Sequence, residues 1–284
     1  MTDAAFDIEA DRGVRDVVAA SGSTFVHGMR ILSPPRRQAI FAVYAFCRVV
    51  DDIVDGPASP ARKRAGLDLW DREIAAVFAG APQTAIGREL RRAADGYDLP
   101  EREFHLILEG MWMDVTPVVA PDRETLEAYV RRVAGAVGML SMRIFGAWRG
   151  APSRDFALSL ARGMQFTNIL RDVEEDAMLG RVYLPRDILE TAGVTPDPAR
   201  IAADPNLPLA RRALGRDARA AFRDACAAVP AHPRLRLTPA FLMMGPYERL
   251  LAGMELDWHR PAPRRPGWRK AVDGLVCLAR GGAS

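Results

Sequence analysis

Three cysteines in 284 residues, Cys47, Cys226 and Cys277, lie too far apart for a paired zinc spacing and are too few for a secreted disulfide scaffold. A reducing cytoplasm is the expected setting. Histidine is as scarce: His27, His105, His232 and His259 form no ligand-like cluster, so a histidine-based metal site would need convergence from distant parts of the chain. No apolar run approaches the roughly 20 residues that span a bilayer. The opening stretch MTDAAFDIEADR is acidic where an export signal is basic. Neither export nor a spanning anchor is expected. Charge of one sign is lacking too, since 39 basic and 36 acidic side chains interleave to a net +3, which gives no case for nucleic-acid binding. No GxGxxG or Walker sequence occurs, so no motif asks for a nicotinamide cofactor.

Strand-like alternation between hairpin turns is hard to find, whereas helical signals recur throughout, and the fold class read here is all-α in a single domain. Ser33, Pro34 and Pro35 predict an N-cap and first turn, opening a helix that runs to Asp55 and stops at Gly56-Pro57. Further helices are predicted at 62–79, 85–95, 101–114 and 123–148, separated by glycine and proline breaks. Ser153 is expected to cap a helix reaching Met178 before Gly180. A proline-rich connection at 196–208 precedes helices at 209–228 and 238–257. Beyond a core of about 20–257, the tail 258–284 mixes Arg264, Arg265, Arg269 and Lys270 with Trp268, Leu275, Val276 and Leu278. That mixture suits either a membrane surface or a solvated basic tail.

Two of these helices carry aspartates in register. Tyr44, Arg48, Asp51 and Asp55 are spaced by four, three and four residues and share one helical face. Gln165, Asn168, Asp172 and Asp176 follow steps of three, four and four, with Arg171 beside them and Glu174 on the opposite side. Carboxylates four apart repel by about 0.2–0.5 kcal/mol on an exposed helix, and in a bundle interior next to IFAVYAF and FTNIL they would cost far more without a cation. All-oxygen ligands select a hard ion, and phosphate oxygens alongside suit Mg2+, with Mn2+ a conceivable substitute. Arg48 and Arg171 add guanidinium forks for phosphate oxygens. The combination reads as a diphosphate site.

These residues resemble the squalene/phytoene synthase family, whose first motif is matched by YAFCRVVDDIVD and second by QFTNILRDVEEDAMLGRVYLP. The resemblance runs from about Ser21 to Leu256. It implies an isoprenoid synthase helical bundle with a central active-site cavity, and an enzyme that joins two prenyl diphosphates head to head. Carried over, Asp51 and Asp55, helped by Asp52, bind magnesium from one side, and Asn168, Asp172 and Asp176 from the other. Ser21, Gly22, Ser23, Thr24, Tyr44, Arg48, Gln165, Arg171 and Tyr247 fall where the family contacts diphosphate or nearby substrate atoms. Arg181 and Tyr183, in GRVYLP, resemble its closing flap. Bland readings stand beside these: core tyrosines at 44 and 247, a helix cap at 21–24, a plain turn at 181–183. Gly135, Ala136 and Gly138 thin one helix side, for a prenyl chain or a packed neighbour.

Within the family, EGMWMDV and RVAGAVGMLSMRIFG most resemble the bacterial hopanoid-pathway branch, which makes presqualene diphosphate from two molecules of farnesyl diphosphate. That branch usually carries a cysteine where this chain has Val130. The expected reaction stops before any reduction, so NADPH is not required. Alternatives are a phytoene synthase acting on geranylgeranyl diphosphate, a reductive squalene synthase, and a non-catalytic prenyl-diphosphate-binding partner of downstream pathway enzymes. The scattered cysteines place the protein in the cytoplasm, and the basic, apolar tail offers peripheral contact at the inner face of the membrane.

Overall fold

The computed structural model describes residues 13–20, 24–260, 262 and 266–282. Among these there is no β-strand, only one isolated parallel bridge pairing Val119 with Val182, and the all-α expectation is met. In chain order the helices are α1 (Val14–Ala20), α2 (Thr24–Met29), α3 (Pro34–Asp55), α4 (Pro60–Ala79), α5 (Ala85–Tyr97), α6 (Glu101–Asp114) and α7 (Arg123–Val130). After a π-helical turn at Arg131–Gly135 come α8 (Ala136–Ile144), α9 (Ala151–Arg171), α10 (Val173–Met178), α11 (Arg186–Ala192), α12 (Leu207–Ala228), α13 (Thr238–Leu256) and α14 (Gly267–Arg280). The chain folds as two compact units, Met1–Thr116 with Ala136–Trp148, and Pro117–Gly135 with Arg149–Ser284.

In the first unit α3 is the central element. Pro34 and Pro35 pre-set its first turn; Ser33 takes the cap position, although its hydroxyl makes no cap hydrogen bond. Gly56 ends the helix in an extended conformation, φ −63° and ψ 164°, as expected of a residue before proline. The inward face of α3 is wholly apolar, from Ile40 through Phe46 to Val54. Phe46 meets Trp70 of α4 and Phe104 of α6 edge-on, with ring centroids 5.5 and 5.7 Å apart, so one side chain joins three helices. The buried Glu73 carboxylate is satisfied by the turn before α5, accepting from the backbone N–H of Gln83 at 3.0 Å and of Thr84 at 2.8 Å.

The second unit is built on the pairing of α9 with α12. Gly163 lets the Phe222 ring lie against the α9 backbone, where a Cβ would come within 3.0–3.1 Å of three ring carbons. Gly163→Val is therefore expected to cost about 1–3 kcal/mol through overpacking. In Gly163→Ala a helix-propensity gain of about 1 kcal/mol offsets the milder clash. Urea unfolding of both variants checks the contrast, and equal midpoints would exclude a tight contact. Arg123 ties α7 to α11 and α12 through Asp187 at 2.7 Å and Asp217 at 2.6 Å.

Four expectations change. The segment 123–148 is not one helix, because the π turn at 131–135 interrupts it. One extra residue in a turn leaves both flanks helical, and the stretch RRVAG holds too few apolar residues to display the one-position slip. Gly135 faces Leu158 of α9, 2.9 Å from where a Cβ would stand; of the two readings of that thin side, helix packing holds at this position. Ser153 is not a cap either: α9 begins two residues earlier, behind Gly150 at φ 76°, and the buried Ser153 hydroxyl accepts from the Arg149 N–H at 2.7 Å. Finally, α9 ends at Arg171. Asp172, at φ −101° and ψ 13°, stands between it and the short α10. The tail, for which no helix was predicted, forms α14.

Candidate active site

The first acidic group lies at the carboxyl end of α3. Arg48 reaches back to two of its members, contacting Asp51 Oδ2 at 3.3 Å and Asp52 Oδ1 at 2.5 Å. Asp51 keeps 45% of its side-chain surface accessible and Asp55 is exposed, while Tyr44, one turn before Arg48, is half-buried. These side chains stand on the accessible side of α3, which corrects the expectation that they lie in an apolar bundle interior. Even so, the Asp51 carboxyl is pushed up to about 7, first by burial and then by the charges of Asp55, Asp52 and Asp114, against the opposing pull of Arg48. Asp114, buried at the end of α6, was not among the predicted site residues. The signal was present in EGMWMDV as a carboxylate closing an otherwise apolar helix end. The adjacent Cys47 thiol is pushed up to about 12, by burial and by Asp51, and remains protonated.

The second group straddles the α9–α10 junction. Hydrogen bonds from the Asp172 N–H to the Asn168 carbonyl at 2.9 Å, and from the Asp176 N–H to the Asp172 carbonyl at 2.7 Å, carry the helical spacing across the break. Arg171 grips Asp172 with two bonds, Nε to Oδ1 at 2.6 Å and Nη2 to Oδ2 at 2.5 Å. Burial works against the Arg171 charge, but the Asp172 carboxylate and a hydrogen bond with Tyr247 outweigh it and raise its proton affinity above the ordinary. Gln165 accepts from Asn168 Nδ2 at 3.3 Å, which turns Asn168 Oδ1 the other way; that oxygen is buried without a hydrogen-bond partner. Glu174 points away, as its spacing predicted, and pairs with Arg211 of α12 at 2.5 Å. Arg211 is buried, and sequence reading missed it because one arginine on an amphipathic helix resembles any other.

GRVYLP is more than a plain turn. The Val182 N–H donates to the Val118 carbonyl at 2.8 Å and the Ala120 N–H to the Val182 carbonyl at 2.9 Å, clipping the segment to residues 118–120. Arg181 and Tyr183 are both buried, and the Tyr183 ring stacks on Tyr129 with centroids 5.1 Å apart. Ile169, Val173, Asp176, Arg181 and Tyr183 line a hollow of about 10 Å³, room for roughly one water. Ser21, Gly22 and Ser23 lie outside the described residues, as does the Thr24 side chain; Thr24 itself opens α2.

Among the described residues no three His, Cys, Asp or Glu side chains form a ready metal-ligand cluster. Mg2+ does not demand one, since it takes one or two carboxylates together with water and phosphate oxygens. Each unit offers a feature that fits a hard cation: in the second, the partnerless buried oxygen of Asn168, and in the first, the crowding of carboxylates that raises the Asp51 carboxyl. Proton and metal should therefore compete. The raised Asp51 value means that the metal-free fold loses stability as pH rises from about 4 through 7, where the carboxylate charges, and that a cation restores it. Mg2+-induced stabilisation, read as a thermal shift, is expected to grow between roughly pH 5 and 8 and then level off. A pH-independent shift would count against Asp51 as a ligand.

Residues 18–271 match the family model described as squalene/phytoene synthase. The presqualene diphosphate synthase of Rhodopseudomonas palustris is 41% identical over 249 residues, 87% of this chain and 88% of that protein. The 15-cis-phytoene synthase of Synechococcus elongatus is 36% identical over 64% of this chain and 62% of its own length. Among solved structures, squalene synthase HpnC from Alicyclobacillus acidocaldarius superposes with a TM-score of 0.79 at 26% identity, covering 90% of this chain and 95% of that one.

Proposed function

We propose, from the premise that the chain belongs to the squalene/phytoene synthase family and is a prenyltransferase of that type, that it condenses two farnesyl diphosphates into presqualene diphosphate and releases diphosphate. The nearly full-length likeness to a presqualene diphosphate synthase, against the shorter match to a phytoene synthase, supports this product. The observation that carries the diphosphate chemistry is the pairing of each carboxylate group with an arginine close by in sequence, Arg48 on Asp51 and Asp52 and Arg171 on Asp172.

Asp51 and Asp55, with Asp52 assisting, and Asn168, Asp172 and Asp176 are the residues we assign to magnesium. When bound, Mg2+ stabilises the negative charge that accumulates on the departing diphosphate. Arg48 and Arg171 would present their forks to phosphate oxygens, and Tyr247 orients Arg171 for that task. Arg181 and Tyr183, held by their clipped segment, close over the reacting groups. Ile169, buried beside Asp176, and Phe41 on α3 contribute apolar wall that keeps water from the allylic cation until the second prenyl double bond attacks it. The reaction ends without reduction and needs no NADPH. Because the product is a lipid, the working position is the cytoplasmic side of a membrane. No helix of the described residues is long and apolar enough to cross one.

Radiolabelled farnesyl diphosphate with Mg2+ tests this reading, with and without NADPH. Presqualene diphosphate is expected in both tubes. Squalene formed only with NADPH, or product formed only from geranylgeranyl diphosphate in a parallel tube, would replace it; no product from either would overturn it.

A further inference from the structure

Helix α14 is mounted with its apolar side outward. Trp268, Val272 and Leu275 are 65, 48 and 58% exposed and follow one another by four and three residues along a single face. The face turned inward is polar and small, made by Asp273, Gly274 and Cys277, all buried. An ordinary surface helix has the reverse arrangement. Two glycines fix this orientation. A Cβ on Gly245 of α13 would stand 2.3 Å from the Asp273 carbonyl oxygen, and one on Gly274 would stand 2.8 Å from that of Leu242, so the backbones touch where neither helix has a side chain. Rolling α14 to bury its apolar face would break that contact.

The charges on the helix are one-sided. Its sole acidic residue, Asp273, is buried, while Arg269 and Arg280 are exposed and flank the apolar stripe. The Arg269 guanidinium sits 5.2 Å from the Trp268 ring centroid. The outward surface of α14 is therefore apolar and cationic, with no acid on it.

We propose that this face is a docking surface for an anionic lipid bilayer, with Trp268, Val272 and Leu275 entering the interface and Arg269 and Arg280 at lipid phosphates. A second copy of the chain fits less well, because self-pairing through α14 would oppose arginines to arginines with no carboxylate to answer them. The proposal rests on the lipid-product reading only for its choice of a membrane, and its test requires no turnover.

Flotation of the full chain with extruded vesicles decides the matter. The protein is expected to rise with vesicles of phosphatidylcholine and phosphatidylglycerol in equal parts, and to remain below with phosphatidylcholine alone. Leu275→Asp, and separately Arg269→Glu with Arg280→Glu, should each reduce flotation about tenfold or more, with helical circular dichroism and product formation in vesicle-free buffer unchanged. Wild-type protein that stays below with the anionic vesicles, or floats no better than both variants, overturns the proposal. So does a lipid-free dimer that Leu275→Asp converts to monomer, since the face would then be a self-association surface. A chain that floats yet makes no presqualene diphosphate leaves the docking surface standing and removes the reaction; the opposite result does the reverse.

Discussion

Asp51→Asn is expected to lower kcat/KM for farnesyl diphosphate by about a thousandfold or more, while making the metal-free protein more stable rather than less. The loss follows from replacing an anionic ligand by a weaker neutral one where charge must be offset as the diphosphate departs. The gain follows from the same crowding that lifts the Asp51 carboxyl to about 7: above that pH the unliganded fold carries a charge that burial, Asp55 and Asp52 all oppose. With nearly half of the side chain accessible, solvent screening leaves a relief on the order of 1–2 kcal/mol at pH 8. Thermal unfolding at pH 8, with and without Mg2+, checks both sides. The variant should melt higher than wild type without the ion and gain less from adding it. Wild-type turnover in Asp51→Asn would remove this residue from the metal site.

Arg211→Ala is expected to destabilise the protein by about 2–3 kcal/mol. Removing one partner of a fully buried ion pair costs about 3–5 kcal/mol, and Glu174, 41% exposed, recovers part of that by hydration. The substitution also removes the bond from the guanidinium to the Trp258 carbonyl at 3.5 Å, while the Nε, which has no partner, takes an unmet donor away with it. The consequence reaches the second acidic group, because Glu174 lies on α10, the short helix that also carries Asp176. Loosening that helix should weaken Mg2+-induced stabilisation as well as turnover, whereas Arg211→Met, of similar length, should keep packing and lose only the anchor. Urea denaturation beside an Mg2+ titration separates the two effects. Lower stability with unchanged metal response would confine Arg211 to packing.

Helix positions were readable because proline and glycine act through the backbone: Pro34-Pro35 and Gly56-Pro57 bound α3 where the sequence places them. The likeness to a known family was readable as well, since both aspartate motifs lie in continuous text. Interruptions within a helix were not. Asp172 leaves helical geometry while the hydrogen bonds on either side keep their period, and the π turn at 131–135 falls on RRVAG, where few apolar residues mark its slip in register. Partnerships across the fold were equally hidden. Nothing local marks Arg211 as the partner of Glu174, or Asp114 as a charge felt by Asp51. For the tail, composition disclosed an amphipathic segment, but its outward-facing apolar side depends on Gly245, a residue of another helix.

The first unit is not finished by the residues that begin it. Helix α8 arrives after the intervening 117–135 and locks in through the bond from Arg36 to the Ile144 carbonyl, 2.9 Å long and 108 positions apart, and through Arg143 to Asp98 at 2.6 Å. During synthesis the opening 116 residues must therefore wait for α8 to leave the ribosome, a delay on the order of seconds at ordinary elongation rates. Nascent chains halted before position 136 would show an incompletely packed, protease-sensitive amino-terminal half, and those long enough to expose 148 would not.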